Sequence, residues 1–250
     1  MKLRSLFRPI PKPVRACLWA AAALTLAVAY YIALGCPTFT MRQEFRRAEK
    51  VHMVGPSKIV DNVLEYYDFQ QMLVGETEYG ICFFGKYGTS IHGGNHTGEK
   101  HYSFSYQEKT GDITLAVAPN VFGGVWNQSG TNLPVYIFTE HKDAARAEIE
   151  IHIAGQRTRK VNGKDIIDPY QEVFQETATR SKKGYFRFFL DCADEDGGYA
   201  LDLLSDLVSG NGPIFVDDRT ATIQATVRLY DANDQLILTK EMDLSPAAKE

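Results

Sequence analysis

Cysteine and tryptophan are scarce in this 250-residue chain, four and two respectively. The four cysteines show no Cys-x-x-Cys spacing, which leaves no zinc-ribbon or thioredoxin-type motif and no disulfide-dense scaffold. The chain also lacks a Gly-x-Ser-x-Gly elbow, a P-loop, a Rossmann glycine fingerprint and a His-Glu-x-x-His pair. The strained nucleophile turn, the phosphate cradle and the helical zinc site are therefore missing, and no cofactor is expected. No basic stripe with interleaved aromatics stands out, so nucleic acid is not an expected partner. Hydrophobic content of 44 %, charge of 23 % and a net charge of −4 are ordinary globular values.

Uncharged runs are equally rare, with one exception. Ala16–Gly35, ACLWAAAALTLAVAYYIALG, holds no charge over a helical length of about 30 Å, one hydrocarbon core. The expected organisation is a cytoplasmic basic tail at 1–15, a transmembrane anchor at 16–35, and everything after it extracytoplasmic. Lys2, Arg4, Arg8, Lys12 and Arg15 resist translocation, and Pro9, Pro11 and Pro13 interrupt helix in the tail. Ala33-Leu34-Gly35-Cys36 loosely resembles a bacterial lipobox, making Cys36 a lipidation candidate, although the apolar run is long for a cleaved signal core.

Residues 36–56 read as a juxtamembrane helix and linker. Thr40 can cap the helix and Gly55-Pro56 can end it, with Met41, Phe45, Ala48 and His52 on one face and Arg42, Arg46, Arg47 and Lys50 offering cations to anionic headgroups. The alternative is a solvated spacer. The run CPTFTMRQEFRRAEKVHMVGPSKIVD resembles the juxtamembrane segment of uncharacterised single-pass membrane proteins of Gram-positive bacteria. That resemblance covers about a tenth of the chain and implies an anchor and no chemistry.

Residues 57–119 read as β-hairpins, 120–133 as a linker loop, 134–245 as a β-sandwich and 246–250 as a tail. Met72–Glu76 and Tyr79–Phe84 flank one expected hairpin turn, and Tyr102–Gln107 and Ile113–Ala118 flank another. Strict alternation in Ala147–Ile153 and Ala221–Tyr230 marks half-buried strands. Val135–Thr139, Val173–Ala178, Tyr185–Leu190 and Leu236–Met242 bring the sandwich to six strands, with His141–Asp143, Ser181–Gly184 and Asp231–Asp234 as hairpin turns. The expected class is mainly β, with an immunoglobulin-like sandwich and one short helix, Gly198–Ser209, whose stripe is Leu201, Leu204 and Val208 with Ala200, Leu203 and Leu207 beside it.

Four clusters could carry chemistry. His92, His96, Glu99 and His101 fall within ten residues, and imidazole with carboxylate suits a divalent metal; a solvent-exposed glycine-rich loop explains the cluster as well. Asp194, Glu195 and Asp196 superficially resemble a calcium loop, but EF-hand alignment places Cys192 first and Leu203 last, which rules that motif out. Cys82 and Cys192 would close a loop of about 110 residues if bridged outside the cell; two separate buried thiols are the alternative. Phe122, Trp126, Tyr66 and Tyr67 could stack on sugars or simply pack. The expected function is a membrane-anchored, extracytoplasmic, non-catalytic β protein that acts on a protein or cell-envelope partner. The alternatives are an envelope hydrolase or metal-binding protein using the His92–His101 loop, and a cell-wall glycan-binding module.

Overall fold

A computed structural model describes residues 11–33, 40–65, 70–87, 101–118, 131–161, 164–192, 200, 203–204 and 221–245. The chain divides into two compact units, Met1–Arg47 and Ala48–Glu250. The first contains helix α1, Lys12–Ala33, and the start of helix α2, Met41–Val51. Pro13 lies inside the first turn of α1, where the N–H it lacks would have had no helical partner, so the proline breaks less helix than the sequence suggests. The window Lys12–Tyr31 is long and apolar enough to cross a membrane, and none of it is buried by the protein. Within it the Thr25 hydroxyl donates to the Ala21 carbonyl at 2.9 Å, so that hydroxyl is satisfied without water.

Helix α2 opens on a capping box. The Thr40 Oγ1 accepts from the Gln43 N–H at 3.3 Å while Gln43 Oε1 accepts from the Thr40 N–H at 3.2 Å. Its buried positions are Phe45 and Glu49, and His52 is exposed, so the inner face differs from the expected stripe. The Glu49 carboxylate accepts from the N–H and hydroxyl of Ser57. Beyond its last residue, Val51, the chain leaves the helix at Met53, in the left-handed region at φ 56, and the Val54 N–H reaches back to the Glu49 carbonyl at 2.9 Å. Gly55, expected to be the stop, has an ordinary φ.

Eleven strands follow among the described residues: β1 Lys58–Glu65, β2 Gln70–Glu76, β3 Gly80–Tyr87, β4 His101–Glu108, β5 Ile113–Val117, β6 Thr131–Thr139, β7 Arg146–Val161, β8 Lys164–Thr179, β9 Tyr185–Cys192, β10 Thr222–Tyr230 and β11 Leu236–Asp243. They form three antiparallel sheets, ordered β1-β2-β3-β4, β5-β6-β9 and β11-β10-β7-β8. The three-stranded sheet is the middle layer. Ile113, Leu115, Val117, Val135, Ile137, Phe186 and Phe188 on one of its faces share a core with Ile149, Ile151, Ile223 and Val227 of the third sheet. Ala116, Tyr136, Phe138 and Tyr185 on its other face share a second core with Val60, Met72, Val74, Ile81 and Phe83 of the first sheet.

That layering corrects several expectations. Tyr102–Gln107 and Ile113–Ala118 are not a hairpin: β4 pairs with β3, and β5 pairs with β6. The physical reason is that β5 is buried at all five positions, which suits a strand covered on both faces. Gly111, at φ 69, turns the chain from one sheet to the next. β5 thus leaves the region assigned to hairpins and pairs with β6 of the region assigned to the sandwich, which in the structure is divided between two of the three antiparallel sheets. His141–Asp143 and Ser181–Gly184 likewise carry the chain between sheets and close no hairpin. Met72–Glu76 with Tyr79–Phe84 and the Asp231–Asp234 turn are hairpins as expected. Ala200, Leu203 and Leu204 are helical and buried in the larger core; the rest of the expected helix lies outside the described residues.

Candidate functional site

Most residues singled out from sequence lie outside the described ones: Cys36, Tyr66, Tyr67, His92, His96, Glu99, Phe122, Trp126 and the acidic run at 194–196. His101 opens β4 opposite Tyr87. Cys82 is a buried thiol on β3, whereas Cys192 ends β9 in the middle sheet. Among the described residues, no group of three or more His, Cys, Asp or Glu is placed to hold a metal.

Two polar assemblies were not legible from spacing. The first lies between the first and middle sheets. A bulge shifts the β1 register between Ile59 and Asp61, and Lys183 Nζ donates to the carbonyl of Val60 at 2.7 Å. Asp61 then accepts from the Tyr136 hydroxyl at 3.1 Å and from Arg187 at 2.8 Å. Burial, and secondarily the Asp61 charge, pushes the Tyr136 hydroxyl far above the ordinary tyrosine range, so it serves as a fixed donor. Tyr136 is wholly buried among Phe83, Phe138 and Tyr185, at ring separations of 5.7–6.3 Å. Asp61 of the first sheet is thus held by Tyr136 and Arg187 of the middle sheet, as in a structural tie.

The second covers the solvent face of the third sheet. Alternation on β7 and β10 sends Ile149, Ile151, Ile223 and Val227 inward and Glu148, Glu150, His152, Arg228 and Tyr230 outward. Arg146 is paired with Glu148 and with Asp234 (2.9 Å), and its guanidinium lies 3.9 Å from the centre of the Tyr230 ring. The Tyr230 hydroxyl donates to Glu148 at 2.8 Å. Arg146 foremost, then Tyr230, hold the Glu148 carboxyl below its usual range; His152, then Arg228, do the same for Glu150. Carboxylates stabilised this way are weak proton acceptors near neutrality, so this ladder is suited to solvation and docking more than to proton transfer.

The same sheet carries a protruding arm. β10 pairs with β7 only as far as Thr222 opposite Ala154, but β7 and β8 continue together to Val161 opposite Lys164. Among the described residues, 155–161 and 164–170 therefore form a two-stranded ribbon about 20 Å long. At its base a Cβ on Gly155 would stand 2.9 Å from the Tyr170 hydroxyl oxygen and 3.0 Å from its ring, so a larger residue there would have to displace the tyrosine where it crosses the strand. Pro169 lies on the outer strand of the sheet, the position in a sheet where proline is tolerated. Near the tip Ile166 and Ile167 are 39 % and 62 % exposed. The strands expected here, Ala147–Ile153 and Val173–Ala178, stop short of the arm. The signal that would have revealed it is Asn162-Gly163, the strongest two-residue hairpin pair, set between residues that pair directly.

No protein-family model matches this chain, and comparison with characterised proteins returns no match. The arm and the charged sheet face are consequently interpreted from their own chemistry.

Proposed function

We propose that the chain is a membrane-anchored protein whose β unit acts outside the cytoplasm, without catalysis, by interaction with a protein or envelope partner through the β7–β8 arm. The observation that carries this reading is the 20-residue apolar window of α1, no part of which the protein buries. An apolar surface of that length needs a non-aqueous environment. The five cations before Ala16 favour a cytoplasmic N-terminus, with residues 38–250 outside. The juxtamembrane resemblance to Gram-positive single-pass proteins agrees with that placement.

Strands β5 to β11 constitute an immunoglobulin-like sandwich in this reading. Lettered in chain order, β5-β6-β9 follow as A-B-E and β11-β10-β7-β8 as G-F-C-C′, the two-sheet division such sandwiches use. Hairpin C–C′ is then the arm, prolonged beyond its neighbours. The test is alkaline carbonate extraction of membranes from cells making the full chain, together with protease added to intact protoplasts. The protein should stay in the membrane fraction, and protease should remove a tag at Glu250 while sparing one at the N-terminus. Release into the carbonate supernatant, or the reverse protection pattern, overturns the reading.

A further inference from the structure

We infer that the tip of the β7–β8 arm is a lipid-contacting element, which places Ile166 and Ile167 in the interface of an anionic bilayer. Adjacent strand residues point to opposite faces of a ribbon, so the two exposed isoleucines present aliphatic surface on both sides of the tip. A flat protein surface covers one face of a ribbon and leaves the other wet. A fluid interface surrounds the tip and desolvates both.

Charge identifies the kind of bilayer. Residues 157–168 contain Arg157, Arg159, Lys160 and Lys164 against Asp165 and Asp168, a local net charge of +2 in a protein whose total is −4. Lys164 and Asp165 are exposed, and the pairing sets Arg159 opposite Ile166 and Lys160 opposite Asp165. A basic segment interleaved with aliphatics combines apolar burial with attraction to anionic headgroups, the two terms that hold peripheral elements on membranes. The hairpin is suited to an interfacial depth because cross-strand pairing near its tip satisfies the inward-facing backbone groups, while the outward-facing ones stay within reach of headgroups and water. The inference rests on the membrane-anchored reading, since the anchor keeps a bilayer within reach of every copy.

The test uses the full chain with Trp19→Phe, Trp126→Phe and Ile167→Trp, which leaves one reporter at the tip. The protein is reconstituted into vesicles of phosphatidylcholine alone or mixed with phosphatidylglycerol, and vesicles of the same composition are added outside; all carry acyl-brominated lipid. In the anionic mixture the tip fluorescence should shift to the blue and fall at least twofold. Arg157→Glu with Arg159→Glu should abolish both effects, as should high salt. Unquenched, water-like emission in anionic vesicles from which carbonate fails to extract the protein overturns the lipid contact and leaves the anchor reading standing. Loss of the protein from the vesicles on carbonate treatment overturns the anchor reading itself. Equal quenching in neutral lipid overturns the headgroup selectivity. A blue shift in lipid-free micelles that grows with protein concentration overturns the proposal in favour of a second copy of the chain.

Discussion

Replacing Gln107 by leucine tests how the open edge of the middle sheet is closed. Among the described residues, β5 has β6 on one side and no strand on the other. On that open side the Gln107 amide donates to the Val117 carbonyl at 2.6 Å and accepts from the Val117 N–H at 3.0 Å, imitating one rung of a ladder. Val117 is fully buried and Gln107 nearly so, which leaves water no access if the amide is removed. Leucine is close to glutamine in size, so the loss is one of hydrogen bonding more than of packing. Each orphaned buried backbone group costs about 1–3 kcal/mol, offset in part by burying an apolar side chain, so the variant should be about 2–5 kcal/mol less stable. For a unit of this size that is a fall in Tm of roughly 5–15 °C. Urea unfolding of the detergent-solubilised full chain should show a lower midpoint at unchanged slope. Gln107→Glu adds a pH signature. Burial and the hydrogen bond it would donate to the Val117 carbonyl both favour the protonated carboxyl, so its folded pKa is raised. Stability should thus be present below the ordinary glutamate pKa of about 4.3 and be lost as pH rises above it. A loss below about 0.5 kcal/mol in Gln107→Leu would refute the claim that this amide is the missing partner of β5.

Three further outcomes are expected. Tyr136→Phe should cost about 1–3 kcal/mol at neutral pH, because it removes a buried donor to Asp61. The folded pKa of Tyr136 is raised, so its contribution is intact below about pH 10 and declines above that by about 1.4 kcal/mol per pH unit; Tm measured across alkaline pH should fall less steeply in the variant, and an identical slope would contradict the assignment. Gly80→Ala should destabilise by about 1–3 kcal/mol, because its Cβ would stand 2.4 Å from the Tyr106 ring and 2.5 Å from the Gln107 carbonyl oxygen. Gly55→Ala, with nothing within 4 Å, should be neutral or slightly stabilising in the same urea series, and equal effects at the two sites would undo the steric argument. Lys240 Nζ bridges the Thr110 and Ile113 carbonyls and the Asp112 carboxylate at 3.0–3.1 Å and draws the Asp112 carboxyl below its usual range. The part of its effect that acts through Asp112 is present above the ordinary aspartate pKa and lost as pH falls through the lowered one, so the Tm deficit of Lys240→Met should narrow on acidification; a deficit independent of pH would sever the link to Asp112.

Period-two alternation made β7 and β10 legible, because each has one face in the core and one in water. It failed for β5 and β6 in an instructive way. Leu133 to Phe138 is buried without a break, so the stretch shows no alternation, and a strand covered on both faces cannot be assigned to a neighbour by pattern. The hairpin drawn between β4 and β5 followed from their closeness in sequence; the turn at 109–112 instead leads to another layer. The arm was missed because Gln156 to Asp168 is polar and weakly periodic, although Asn162-Gly163 marked it. As for the ties, a buried Gln, Asp or Tyr looks in sequence like any surface residue, and its partner is fixed only once sheets stack. Asp61 and Tyr136, for example, are 75 positions apart.

The three-layer arrangement explains why those ties occur where they do. Apolar contact is non-directional, so two sheets stacked on a smooth aliphatic face could slide or rotate with little change in buried area. The middle sheet faces this problem twice. On the first-sheet side Gln107 meets the Val117 backbone, and Asp61 meets Tyr136 and Arg187; on the third-sheet side Lys240 meets two carbonyls and Asp112 beside β5. Each contact is satisfied in one alignment only, and misalignment leaves a polar group without its partner in or beside a core. The free energy gained by each tie is modest, whereas the penalty for a wrong alignment is large. Loss of a tie should consequently broaden the set of sheet packings as well as lower the midpoint. In the Gln107 and Tyr136 variants, slow amide exchange should be lost first along β5 and β6, while β10 keeps its protection between β7 and β11.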